Sequence, residues 1–264
     1  MITVVQAVKR MRGPSRAVHA VADNGWHYVV KPPSIGHRAM INEWLGAKLL
    51  QMVGVMTADV RPVIIPGEIA KEQWPEFSGI SVVGTASAFP VDPTQHAIYD
   101  FVPRMMAEKI ANLDHAVGAL AVDFWVGMTE RRHFVYFRQG PWWACCVDNK
   151  GMFGGRQWNC LGGGLPTNPA ARWTYESVLS EKQIDLWSAQ ILAIKPGALY
   201  RLLDEVPECW AATLSASDLY QLADLLLSRR ARVPAMLRGV AGTSSSRIGL
   251  TCDTMSLNAS CLSS

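Results

Sequence analysis

The stretch that most constrains this chain is a short hairpin that ends on a lysine and runs straight into a helix. "RAVHAVADNGWHYVVKPP" holds two alternating runs joined at Asp23-Asn24-Gly25. Asn-Gly is the strongest short hairpin signal, because both positions accept positive φ. Lys31 closes the second run, and Pro32-Pro33 stop it because proline has no ladder donor. In "HRAMINEWLGAKLLQMVG" the period then changes. Met40, Trp44 and Ala47, with Ile41, Leu45, Leu49 and Val53, recur at helical spacing, and Gly54 supplies the stop.

Around that unit the N-terminal third reads as β. "MITVVQAVKRMRG" alternates like a strand, and "DVRPVIIP" and "GISVVGTA" add two more. After "IYDFVPR" the apolar series Met106, Ile110, Leu113, Val117, Leu120, Ala121 and Phe124 predicts one long amphipathic helix that ends at Gly127. "HFVYFR" and "WWACCVD" then read as paired strands around Gln139-Gly140-Pro141. A Gly-rich connection follows, and the pattern is helical to about residue 239. The Ser/Thr-rich end is expected to be loosely ordered. The chain is thus expected to be α+β in two lobes, with a β-rich N-terminal lobe over residues 1–102, a mainly helical lobe over 103–240 and a tail over 241–264.

With 264 residues, 49% of them hydrophobic, the chain can build a sizeable core. A net charge of +3 gives no electrostatic case for a nucleic-acid partner, and basic residues occur only in short pairs such as Lys9-Arg10 and Arg229-Arg230. "ANLDHAVGALAVDFWVGM" is interrupted by Asp114, His115 and Asp123, so no membrane span is expected. The N-terminus places apolar residues before basic ones, the reverse of a secretory signal. Six cysteines without Cys-x-x-Cys spacing argue against structural zinc and fit a reducing, cytoplasmic setting. Cys145 and Cys146, adjacent on a strand, should face opposite sides as buried small hydrophobes.

Three charges look costly without partners. Lys31 terminates an apolar strand, Glu43 lies between apolar rows of the next helix, and Asp148 closes "WWACCV". A strand-to-helix Lys–Glu pair with an acidic residue at another strand end is the constellation of nucleotide kinases, in which lysine holds phosphate oxygens and a carboxylate holds Mg²⁺. Each also has a plain reading: a solvated strand-end lysine, an exposed helix glutamate, a turn aspartate.

In order and spacing, "YVVKPP", "NEWLGAKLLQMVGV", "IYDFVP", "AVDFWVGMTERRHFVYF", "CCVDNKGMFGG", "VPECW" and "LLLSRRARVPAML" resemble the HipA-like kinase family of bacteria. The resemblance runs from about residue 10 to 238. It implies a two-lobed protein-kinase-like fold, ATP and Mg²⁺ in the cleft between lobes, and γ-phosphoryl transfer to a hydroxyl on a protein substrate. Carried over, Lys31 matches the phosphate-binding lysine, Glu43 its helix partner and Asp148 the metal-binding aspartate. Gly13 alone stands where a phosphate-covering glycine turn belongs. The family's loop reads Asp-x-Trp-x-Gly-Asn-x-Asp-Arg-Arg-Gln, its later Asp positioning the acceptor hydroxyl. Here Asp123, Trp125, Gly127, Arg131 and Arg132 agree, whereas Met128 replaces the Asn, Glu130 the Asp and His133 the Gln.

Glu130 is therefore the candidate hydroxyl-positioning base, with Asp123 and Arg131 as further catalytic candidates. Arg131 and Arg132 could contact phosphate or form a solvated basic pair. His133 is read as solvent-facing or satisfied, and His19 and His27 as structural. Met128 is a poor ligand for hard Mg²⁺, and a carboxylate displaced by about 1 Å can cost on the order of 100-fold in rate. Low turnover is expected. A pseudokinase, serving as a nucleotide-binding or protein-interaction module, is the alternative.

Overall fold

The computed structural model describes residues 1–158, 174–212 and 214–248. Five strands close a barrel in the order β1 (Ile2–Arg10), β2 (Val18–Ala22), β3 (His27–Lys31), β5 (Val82–Ala88) and β4 (Val60–Ile65). The hairpin forms where the sequence places it, with Val18 opposite Val30 and Val21 opposite His27. Gly25 takes a φ of 75°, and Asn24 locks the turn by accepting from the Trp26 N–H and donating to the Tyr28 hydroxyl. Inward-facing Val4, Val18, Ala20, Tyr28, Val30, Val63 and Ile65 fill the barrel, and Trp74 plugs it from the segment after α2 (Gly67–Gln73).

β3 leads through a 3₁₀ turn at Pro33–Ile35 into α1 (His37–Val53). Gly54, at φ 88°, ends this helix by donating to the Leu50 and Gln51 carbonyls. α1 is buried almost all round, and its apolar residues join the main core with those of α3 (His115–Val126), α4 (Glu181–Ala193), α5 (Pro196–Asp204), α7 (Ala216–Arg229) and α8 (Val233–Ile248). Gly46 on α1 allows a close crossing, since a Cβ there would lie 2.5 Å from both Asn149 Cβ and Met152 Sδ.

The long helix expected over Met106–Phe124 is not one helix. Arg104–Lys109 is 3₁₀, and α3 begins only at His115. The intervening residues 110–114 form turns held against the edge of a strand. Ile110 bridges Trp142, Ala111 N–H donates to Trp142 O at 2.8 Å, and the Asn112 amide exchanges two hydrogen bonds with the backbone of Ala144. Those bonds satisfy edge groups of β8 (Trp142–Val147) that a helix would leave unpaired. β8 pairs with β7 (His133–Arg138), which pairs with β6 (Ile98–Tyr99), so the strand pair read from sequence gains a third member. Cys145 and Cys146 are both buried and enter different apolar clusters, as alternation requires.

The helical C-terminal pattern is present, with a short α6 (Glu208–Ala211) among the helices already named, and α8 continues to Ile248, into the stretch expected as a loose tail. Residues 249–264, and most of the Gly-rich connection, lie outside the described residues. Among the described residues, no helix is long and apolar enough to cross a membrane.

Candidate functional site

Lys31, at the end of β3, sets the site. It pairs with Thr85 of β5, and Gly84 lets the strands close there, because a Cβ at Gly84 would lie 2.3 Å from the Lys31 carbonyl oxygen. The buried ammonium of Lys31 lies 2.5 Å from Glu43 Oε1 and 2.9 Å from Asp148 Oδ1. The three residues singled out from sequence therefore converge. The solvated readings of Lys31 and Glu43 are set aside, since they are 6% and 0% exposed.

The end of β8 is folded to make this meeting. Asp148 adopts a left-handed φ of 62°, a conformation aspartate tolerates better than most residues. Asn149 N–H then donates to Glu43 Oε2 at 2.9 Å, so both oxygens of this buried carboxylate are engaged. On the preceding α1 residue, the Asn42 amide donates to the carbonyls of Lys150 and Met152 at 2.9 Å and accepts from Trp158 Nε1 at 2.7 Å. The chain from 148 to 158 is thereby pinned to the helix that carries Glu43.

Burial by itself would lower the Lys31 pKa, but the Glu43 and Asp148 carboxylates outweigh it and hold the ammonium above the usual lysine range. Asp148 shows the mirror balance: burial raises it, yet Lys31 and Lys150 hold it well below the usual carboxylate range. Glu43 is pushed up by complete burial, opposed by Lys31 and the Asn149 N–H. Lys31 and Asp148 are thus a standing ion pair.

A second lysine extends the cluster. Lys150 Nζ lies 2.7 Å from Asp148 Oδ2 and 2.9 Å from Glu130 Oε2. The Glu130 loop is zipped to the segment after Asp148. Thr129 N–H and Oγ1 both donate to Gly151 O at 2.9 Å, and a Cβ at Gly151 would lie 2.8 Å from Glu130 Cβ. Glu130 therefore reaches the cluster, with its side chain 46% exposed.

The other expected residues lie elsewhere. Asp123 is enclosed beside Arg132, which forks onto its carboxylate and donates to Asn149 Oδ1 at 2.5 Å. Arg132 is 3% exposed, so it is neither a solvated arginine nor open to a ligand, while Arg131 and His133 are exposed. Met128 is fully buried in the main core, so the position read as a lost polar ligand packs as a hydrophobe. Gly13 stands at φ 125° in the β1–β2 connection, at the same barrel end as Lys31 by strand register. The tip of that connection docks on the segment after α2 through Arg16–Glu76 at 2.8 Å. His19 and His27 bond each other at 2.8 Å. Arg229 and Arg230 are used internally, on the carbonyls of Phe124, Trp125 and Ile194.

Asn42, Asn149 and Lys150 escaped the sequence reading. "DNKG" reads as turn chemistry, and only the left-handed Asp148 turns it into a scaffold for three side chains. Asn42 sits beside Glu43 and could have been flagged by the same cost of burying a polar group in an apolar row.

A strand lysine paired with a helix glutamate, beside a strand-end aspartate, is an arrangement that protein kinases use to hold phosphate and metal. In sequence, residues 4–133 match the model of the HipA-like kinase family, and the resemblance read from the motifs is borne out over that span. Among curated proteins, none matches the chain. Among solved structures, a proinflammatory kinase of Helicobacter pylori, CtkA, is similar with a TM-score of 0.56 at 10% identity, covering 94% of this chain and 99% of its own. The Golgi casein kinase aligns with a TM-score of 0.49 at 10% identity, over 89% of this chain and 71% of its own. The likeness to CtkA is one of fold.

Proposed function

We propose that this chain is a phosphotransferase of the HipA-like kinase type, with the two-lobed protein-kinase-like architecture, that moves the γ-phosphoryl group of ATP to a hydroxyl on a protein. The observation that carries this reading is the convergence of the buried Lys31 and Glu43 with the half-buried Asp148 in one cluster, joined by Glu130. The family match and the fold likeness support it.

In this reading Lys31, held in line by Glu43, binds phosphate oxygens when nucleotide enters. Glu130 accepts a hydrogen bond from the acceptor hydroxyl and takes its proton as the oxygen attacks phosphorus and the bond to the bridging oxygen of ADP breaks. Arg132 and Asp123 are positioning residues that fix the loop against Asn149. The described residues contain no group of three or more His, Cys, Asp or Glu side chains placed to hold a metal. Asp148 with Glu130 nearby suits Mg²⁺, which uses one or two carboxylates together with substrate phosphates. Asp148 would hold the ion, and the ion would neutralise phosphate charge.

A pseudokinase reading has two specific supports: Met128 is core, and Glu130 is bound by Lys150 rather than standing open. Calorimetric titration with ATP, with and without Mg²⁺, tests the site. Asp148→Asn should weaken Mg²⁺-dependent binding far more than metal-free binding. Equal loss in both conditions would remove Asp148 from the metal.

A further inference from the structure

We infer that Lys150, which bridges Asp148 and Glu130, is a tethered counter-cation that stands where Asp148 would take a divalent metal and must leave before that metal can bind. This rests on the phosphotransferase reading of the same site. Four features of the cluster lead to it.

Both Asp148 oxygens already accept from ammonium groups, Oδ1 from Lys31 and Oδ2 from Lys150. Of those two lysines only Lys150 is placed to move. Lys31 is held between Asp148 and the fully buried Glu43, so withdrawing it would strand a carboxylate with no water in reach. Lys150 instead bridges two carboxylates that reach solvent, with side chains 30% and 46% exposed, so that Glu130 can be rehydrated and Asp148 metallated when it withdraws. Its backbone stays fixed, since Lys150 O accepts from the Asn42 amide at 2.9 Å. Motion is therefore confined to the four-carbon stem, which is the flexible part of a lysine.

The charge count agrees. Glu43, Asp148 and Glu130 carry three negative charges against two from Lys31 and Lys150, and a hard cation taken up at Asp148 would replace the charge that Lys150 supplies. Lys150 thus sets how much metal the site holds before nucleotide arrives, and it favours loading by a metal that comes with phosphates.

The test uses the full chain and Mn²⁺ alone as the probe, followed by electron paramagnetic resonance of free Mn²⁺ without nucleotide. Lys150→Met keeps the stem and removes the charge, and it should bind Mn²⁺ on the order of tenfold or more tighter than the wild type. Lys150→Arg keeps a cation and should stay near the wild type, which separates charge from packing. Adding Asp148→Asn to Lys150→Met should abolish the gain. A parallel titration with Mn²⁺ and a non-hydrolysable ATP analogue tests the site itself. If the analogue binds in an Asp148-dependent way while Lys150→Met binds Mn²⁺ no better than the wild type, the counter-cation role is overturned and the phosphotransferase site stands. If neither Mn²⁺ alone nor Mn²⁺ with the analogue binds to any of these proteins, both are overturned. Thermal unfolding of each variant separates loss of binding from loss of fold.

Discussion

Replacing Lys31 with methionine removes the ammonium that lies 2.5 Å from Glu43 Oε1 and leaves a carboxylate with no solvent exposure. Breaking one partner out of a buried ion pair costs about 3–5 kcal/mol, a large share of the roughly 5–15 kcal/mol that holds a domain together. Asp148 suffers less, because it keeps Lys150 and reaches solvent. The cost should depend on pH, and its sign follows from Glu43. Burial already pushes this carboxyl up, and loss of Lys31 removes the main opposing influence. A carboxyl whose folded-state pKa lies above its unfolded value of about 4.3 binds more protons folded than unfolded, so stability falls as pH rises through that interval. Lys31→Met should therefore cost least near pH 5 and most near pH 8.

Urea unfolding followed by tryptophan fluorescence reads this directly, since Trp125, Trp158 and Trp210 are fully buried. Adding Glu43→Gln, which removes the stranded charge, should recover part of the loss, so the double variant should be less destabilised than the sum of the singles. A Lys31→Met cost below about 1 kcal/mol at pH 8, equal costs at both pH values, or strict additivity would refute the buried-pair reasoning.

Four further outcomes follow from the same geometry. Gly46→Ala should destabilise by about 1–3 kcal/mol in urea unfolding, because the new methyl meets Asn149 Cβ and Met152 Sδ at 2.5 Å. Burial, with His27 and Lys9 adding to it, lowers His19 to about 4. Its folded-state pKa lies below the unfolded value, so the stability it contributes is present above about pH 6.5 and lost as pH falls toward 4. Tm should drop over that range, and less so in His19→Gln. Met128→Asn, attractive from the motif as a restoration of polar chemistry, should instead destabilise by about 2–5 kcal/mol by burying an amide in the core, read by the same urea unfolding. Glu130→Asp is the cleaner variant of that loop, being partly exposed, and should preserve or raise phosphoryl transfer measured with γ-labelled ATP.

The hairpin, α1 and the convergence of Lys31, Glu43 and Asp148 were legible because each rests on a local signal: Asn-Gly at the turn, helical period to Gly54, and charges whose burial demands partners. The broken helix was not legible. Its apolar series satisfies helical spacing, and what ends it is Asn112 bonding to Ala144 across the chain, an edge pairing that no local pattern encodes. The packing of Met128 was not legible for a related reason. A motif comparison asks what a position lost, whereas burial in the main core shows what it packs against. Arg132 likewise has the composition of a solvated basic pair, and only the fold brings Asp123 and Asn149 around it.

The central claim, that Lys31, Glu43, Asp148 and Glu130 form a phosphotransferase centre, is tested most directly by transfer from γ-labelled ATP to the chain itself and to a generic protein acceptor. Wild type should incorporate label in an Mg²⁺-dependent way, with Asp148→Asn and Glu130→Gln both at background. Label incorporation unchanged in Asp148→Asn or Glu130→Gln would contradict the site assignment. Background incorporation by the wild type, with Mg²⁺-ATP bound, would replace the enzyme with a pseudokinase.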